Sequence, residues 1–234
     1  MKRYFLSAVL CAALLLTAAT PALAWTMEKQ DLSEIDVTFD PAVDPANRSN
    51  DPSAWAKTEV EAAISAGLVP TLTDSPRYTD AITREQFAEL VFQTIDVIHG
   101  GDTVDILEVE QIHFSDCDNL SVRMAASVGV VNGVGGGKFE PKQTANREQI
   151  AVMVARAIGF LEQRNKTDIT PNAANIDKFT DQGQVSPWAV DGVGTLAANG
   201  IMAGTSATTL SPKDSCTVEQ SILLAYRLYQ LVNQ

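Results

Sequence analysis

Asn146-Arg147-Glu148-Gln149 opens the stretch NREQIAVMVARAIGFL (146–161), which recurs altered as TREQFAELVFQTIDVI (83–98) and TVEQSILLAYRLYQLV (217–232). Ahead of each copy lies a shorter amphipathic segment that ends in a glycine turn: GLVPT at Gly67, GVVNG at Gly129 and GIMAG at Gly200. The interval from that glycine to the start of the later helix is 16 residues in the first copy and 17 in the other two. Three copies of helix, glycine turn, loop and capped helix predict a mainly α repeat protein.

The later helices share a start signal with a clear mechanism. Thr83, Asn146 and Thr217 can accept from the orphan N–H groups of the first turn. Gln86, Gln149 and Gln220, three residues on, can reach back to the cap residue and complete a capping box. Ile82 and Phe87 also fit the places of a hydrophobic staple. Beyond the cap, Phe87, Leu90, Val91, Ile95 and Ile98 share one face. So do Ile150, Met153, Val154, Ala157, Ile158 and Leu161, and then Leu224, Leu228, Leu231 and Val232. In the first copy a short helix is expected from Asp51-Pro52-Ser53, with Trp55, Val60, Ala63 and Ile64 near one face and Gly67 closing it as a C′ residue.

Outside the copies the chain reads differently. Lys2 and Arg3 precede an uncharged run from Tyr4 to Ala19, and Ala22-Leu23-Ala24 supplies a small-x-small site. Residues 1–24 are therefore expected to be a secretory signal peptide. Cys11 lacks the small preceding residue of a lipoprotein site, having Leu10 instead. Residues 25–50, rich in Asp, Pro and Asn, read as an extended leader too short to fold as an effector domain. The boundaries expected for the copies, each with its linker, are 51–112, 113–177 and 178–234. No membrane span is expected.

Removing Lys2 and Arg3 with the signal moves the net charge from −12 to about −14. So acidic a chain repels nucleic acid and anionic lipid. The two histidines, His99 and His113, lie outside the helical motifs, and no His/Cys cluster has metal spacing. GVGGGK (133–138) lacks the spacing of a phosphate-binding loop and reads as a turn. No enzyme activity, cofactor or metal is expected. Cys117 and Cys216 fall in different copies, which leaves open both a disulfide and buried free thiols.

Some residues are not explained by folding alone. Glu85, Glu148 and Glu219 suit the positive end of the helix dipole, but Arg84 and Arg147 oppose it at a cost of a few tenths to about 1 kcal/mol. The following glutamate could compensate. Alternatively, guanidinium and free helix N–H groups together could form an anion site. Val218 in the third copy says that the fold does not demand Arg there. Trp55 and Trp188, each twelve residues before its turn glycine, read first as core. Exposed beside a groove, each would offer a flat face to a sugar ring. Asp116 and Asp181 can cap the helices that follow them.

With TREQ and NREQ each preceded by a glycine turn, and with Phe-x-Asp at Phe114 and Phe179, residues 51–234 resemble the S-layer homology (SLH) domain in three copies. The resemblance implies a pseudo-threefold helical spindle of helix–loop–helix repeats. It also implies non-covalent anchoring of an exported protein to the bacterial cell envelope. The partner would be a secondary cell-wall polysaccharide, often pyruvylated, or peptidoglycan, which places the protein at the cell wall or cell surface. In that family the motif Arg and a glycine after the first helix line the grooves. Matched within each copy, Arg147 pairs with Gly133, Arg84 meets Thr71 where the glycine would be, and Gly204 meets Val218. At most two competent grooves are then expected, and the second copy, with Cys117 at the tryptophan position, lacks that aromatic. The glycan-binding candidates are Arg84, Arg147, Gly133, Gly204, Trp55, Trp188, Asp116 and Asp181. The alternative is a self-associating envelope scaffold, with or without an envelope protein partner; a cryptic wall enzyme is a third reading, opposed by the missing catalytic constellation.

Overall fold

A computed structural model describes residues 50–101, 112–164 and 176–233. The expected signal peptide and nearly all of the leader lie outside the described residues, as do most of the two linkers. The described residues form six α-helices: α1 Lys57–Ser65, α2 Arg84–His99, α3 Leu120–Ser127, α4 Arg147–Gln163, α5 Val190–Ala198 and α6 Val218–Val232. A mainly helical bundle is what the periodicity predicts. None of these helices is long and apolar enough to cross a membrane.

The three long helices α2, α4 and α6 begin at complete capping boxes on Thr83, Asn146 and Thr217. Their apolar stripes meet one another at the centre of the bundle. Ile82, Leu90, Ile95, Ile150, Leu161 and Ile222 are fully buried there. Each such side chain contributes roughly 1.5–3 kcal/mol relative to exposure. Gly67, Gly129 and Gly200 follow the short helices with φ between +70° and +76°, the left-handed turn that glycine adopts without a Cβ penalty. The short first helix starts at Lys57, later than Asp51-Pro52-Ser53 suggests, because Ser53 forms a turn with Ala56 and Lys57 before the helix proper. Ala56, Val60 and Ala63 make its core face, whereas Ile64 is exposed.

Two features tie the bundle together, and neither is visible in any one copy. The residues just before the caps close a ring of backbone hydrogen bonds. Ile82 N–H donates to Cys216 C=O (2.9 Å), Cys216 N–H to Ala145 C=O (3.1 Å) and Ala145 N–H to Ile82 C=O (3.0 Å). All three are fully buried. The second feature is the pairing of short and long helices: α3 packs chiefly on α2, α5 on α4, and α1 on α6. A short helix therefore rests on the long helix of the preceding copy, and the first closes the circle on the last. Cys117 and Cys216 are buried free thiols, and burial raises the pKa of both.

Candidate functional site

The two motif arginines do not project into solvent. Arg84 is 9% exposed; its Nε donates to Phe139 C=O and its Nη2 to Asn132 C=O, both at 2.9 Å. Its guanidinium also lies 4.7 Å from the Phe139 ring centroid. Arg147 repeats the arrangement one step along the chain, with Nε on Leu210 C=O (2.9 Å) and Nη2 on Ala203 C=O (2.8 Å). Each arginine thus clamps the loop of the next copy. Burial lowers the Arg84 pKa, against the pull of Glu140 and Asp116.

Neither sequence account of these arginines survives intact. The following glutamates do not pair with them. Glu148 accepts from Ser186 N–H (2.9 Å) and Oγ (3.0 Å) and from Lys213, Glu219 from Ser53 N–H and Oγ (both 2.8 Å), and Glu85 from Asn119 Nδ2 (3.0 Å). These contacts tether the starts of α5, α1 and α3. Nor are the helix N–H groups free for an anion. Arg84 and Glu85 donate to Gln143 and Pro141 carbonyls, Arg147 and Glu148 to Asp214 and Pro212, and Val218 and Glu219 to Asp80 and Tyr78. Burial acts against the Glu148 carboxylate, but its bonds from Lys213 and Ser186 hold its pKa below the ordinary value.

Asp116 and Asp181 do not cap the helices that follow. Asp116 accepts from Phe139 N–H (2.8 Å) and Glu140 N–H (2.9 Å), and Asp181 from Leu210 N–H (2.8 Å) and Ser211 N–H (2.7 Å). The Phe-x-Asp and Arg-Glu-Gln motifs converge on one residue, Asp taking its N–H and Arg its C=O. Asp116 has its pKa lowered, first by the Phe139 amide. For Asp181 desolvation opposes the charge, but the Leu210 and Ser211 amides outweigh it.

Gly133 and Gly204 are small because the same loop closes over them. A Cβ on Gly133 would sit 2.6 Å from Lys138 O and 3.0 Å from the Phe114 ring. On Gly204 it would meet Ser206 O and Thr209 O at 2.5 Å and the Phe179 ring at 2.7 Å. Gly135, Gly136 and Gly137 all take positive φ, so GVGGGK is the turn its composition suggests.

Above these clamps lie two clefts. The first, about 180 Å³, gathers Arg84, Gly133, Gln149, Val152, Arg156 and Trp188. The second, about 410 Å³, gathers Arg147, Gly204, Gln220, Leu223, Arg227 and Trp55. Matching within a copy therefore gave the wrong partners. Arg84 belongs with Gly133 and Arg147 with Gly204, because each clamp crosses to the next copy. The tryptophans are not core: Trp55 is 60% and Trp188 58% exposed. Asp116 and Asp181 line neither cleft.

Sequence reasoning missed Arg156 and Arg227. Each stands nine residues after the first position of its helix, where α2 has Gln93, a signal visible once the helices are aligned.

In the same circular order, the third position falls to Val218, the 67–82 loop and the face of α2. Where α4 and α6 present Val152 and Leu223, α2 carries Glu89, only 7% exposed. Glu89 accepts from Thr73 N–H (2.9 Å), Thr73 Oγ1 and Asn119 Nδ2 (2.7 Å). Gln86 Nε2 donates to Thr73 C=O (2.8 Å), and Gln93 Nε2 to Gly67 C=O (3.0 Å). The loop is sewn down onto the helix where the other two positions stand open.

A model of the S-layer homology domain matches residues 121–151 and 178–217. Three enzymes are similar over most of this chain. An amylopullulanase of Thermoanaerobacterium thermosulfurigenes is 24% identical over 75% of the chain. The exoglucanase XynX of Acetivibrio thermocellus is 24% identical over 76%, and an endoglucanase of Bacillus sp. (strain KSM-635) is 27% identical over 71%. The similarity spans only 9% of the first and 16% of each of the other two.

Proposed function

The chain carries the S-layer homology domain, and on that premise we propose that it attaches non-covalently to the bacterial cell envelope by holding a cell-wall glycan in the two clefts. The observation that carries this reading is the recurrence of one constellation. A well-exposed tryptophan, a glutamine and a second arginine stand over a loop that a buried arginine clamps, once at Trp188 and once at Trp55. An aromatic face stacks on the apolar face of a sugar ring. Guanidinium and amide groups satisfy its hydroxyls or carboxylates. Exposing two large aromatics brings no folding advantage, so a ligand accounts for them better than the core does.

Arg84 and Arg147 act in this reading as positioning residues. They hold the cleft loops and have carbonyl partners already. The matched enzymes are named for polysaccharide hydrolysis, and the similarity takes up a small part of each. A shared attachment module fits that proportion, with the hydrolytic chemistry elsewhere in those enzymes. The ligand class is then secondary cell-wall polysaccharide or peptidoglycan, and the location is the cell wall or surface.

The test is co-sedimentation of the full chain with purified sacculi, before and after chemical removal of the secondary polymer. It runs beside a Trp55→Ala/Trp188→Ala double variant, since exposed tryptophans can be removed without disturbing the clamps. Binding that requires the polymer and drops at least tenfold in the variant supports the reading. Binding that survives polymer removal assigns the ligand to peptidoglycan. A folded chain that stays in the supernatant overturns attachment and leaves self-association as the alternative.

A further inference from the structure

Resting on that reading, we propose that the two clefts select different ligands: the Arg84–Arg156 cleft takes a carboxylate-bearing sugar, the Arg147–Arg227 cleft a longer neutral stretch, and Glu59 sets the difference. The second arginine is the point of divergence. Arg227 Nε and Nη2 form a two-pronged ion pair with Glu59 of α1, at 2.9 and 3.0 Å, and Nη1 reaches Ile201 C=O. Its charge is matched before any ligand arrives. Arg156 has no carboxylate within ion-pair distance among the described residues. With the Asn132 amide turned to satisfy both its groups, Arg156 Nη1 donates to the Asn132 oxygen at 3.2 Å, and its remaining donors are open to a bidentate carboxylate.

The other charges nearby do not cancel this contrast. Asp116 and Glu140 act on Arg84 through space, but both open to a separate pocket shared with Lys142. Asp181 acts on Arg147 from beneath the opposite loop, with both oxygens occupied by amides.

Size points the same way. The Arg147–Arg227 cleft, at about 410 Å³, lies within the usual span of ligand pockets, roughly 300–1,000 Å³. At about 180 Å³, the Arg84–Arg156 cleft suits a single sugar or one pendant acidic group. A polymer with acidic groups at intervals would meet both clefts at once.

Each cleft carries its own reporter, since Trp188 lines one and Trp55 the other. The chain labelled with 5-fluorotryptophan gives resonances for Trp25, Trp55 and Trp188, assigned by single Trp→Phe variants. Methyl β-glucuronide and methyl β-glucoside are titrated to equal concentration at low salt. The Trp188 resonance is expected to favour the glucuronide by about fivefold, and the Trp55 resonance to show no preference. Glu59→Gln should give Trp55 a preference of similar size, and Arg156→Gln should abolish that at Trp188. Both substitutions are at accessible positions, and circular dichroism melts check that each variant remains folded. Equal preference at both tryptophans in the unaltered chain, or no response of Trp188 to the glucuronide, overturns the assignment. Sacculus co-sedimentation of the same samples separates the two levels: retained binding with no selectivity sinks only this inference, and lost binding sinks the attachment reading too.

Discussion

The two open clefts and the sealed third position are built on the same helix-and-loop frame and end in opposite states. At the open positions an arginine reaches across to clamp the next loop away from the helix face, a glycine lets that loop turn under a phenylalanine ring, and an apolar residue floors the gap. At the third position valine replaces the arginine, threonine the glycine and glutamate the apolar floor. There the loop lies down on α2 through Thr73. Read copy by copy, the departures at Thr71, Cys117 and Val218 look like scattered decay. Taken around the ring, they fall on one position, and the other two are each complete. One position can therefore close onto its helix while the other two stay open.

The comparison is broken most directly at the clamps. Arg84→Ala or Arg147→Ala removes two hydrogen bonds from a buried cation and leaves two loop carbonyls unmatched, and should cost about 3 kcal/mol in urea unfolding. Val218→Ala should cost about 1 kcal/mol, a smaller loss because no clamp is there. Equal losses at all three positions would remove the distinction. Gly204→Ala is next, at about 2 kcal/mol, because its Cβ would meet two carbonyl oxygens. Gly133→Ala should cost less, having one carbonyl in the way. Urea midpoints measured side by side would show whether that order holds. At the sealed position, Glu89→Ala should cost about 1–2 kcal/mol and speed hydrogen exchange of the Thr73 amide, with the Asn146 and Thr217 caps unaffected. Unchanged exchange at Thr73 would mean that the loop is held by something else.

Acid should weaken the open positions through three carboxylates. Asp116, Asp181 and Glu148 all have folded-state pKa values below their ordinary ones, so their contributions are fully present above the ordinary carboxylate range. They fade as pH falls through the folded values. Melting temperatures should decline below about pH 4. Asp116→Asn and Asp181→Asn should flatten that decline. The smallest effect belongs to the tryptophans: Trp55→Ala and Trp188→Ala should each change stability by no more than about 0.5 kcal/mol. A buried tryptophan would cost about 3–5 kcal/mol, so a loss of that size would return Trp55 or Trp188 to the core.

Local features were legible in the sequence because they rest on short-range geometry. Thr83 with Gln86, Asn146 with Gln149 and Thr217 with Gln220 form capping boxes across one helical turn, and the glycine turns require φ values only glycine adopts freely. Apolar residues at helical spacing marked the stripes of α2 and α4. The mainly helical class was settled by these alone. The exposure of Trp55 and Trp188 was not, since an amphipathic pattern cannot say whether an aromatic at its edge meets a neighbour or water. Nor were the partners of Arg84, Arg147, Asp116 and Glu148. Their hydrogen bonds run to loops and helix starts 23 to 65 residues away, and within-copy matching set Arg84 and Arg147 beside the wrong loop positions. Tertiary structure decided the arginine partners because the ring of Ile82, Ala145 and Cys216 sets each long helix against the following copy's loop. Each open cleft is thereby assembled from different copies, and no single stretch of sequence contains one.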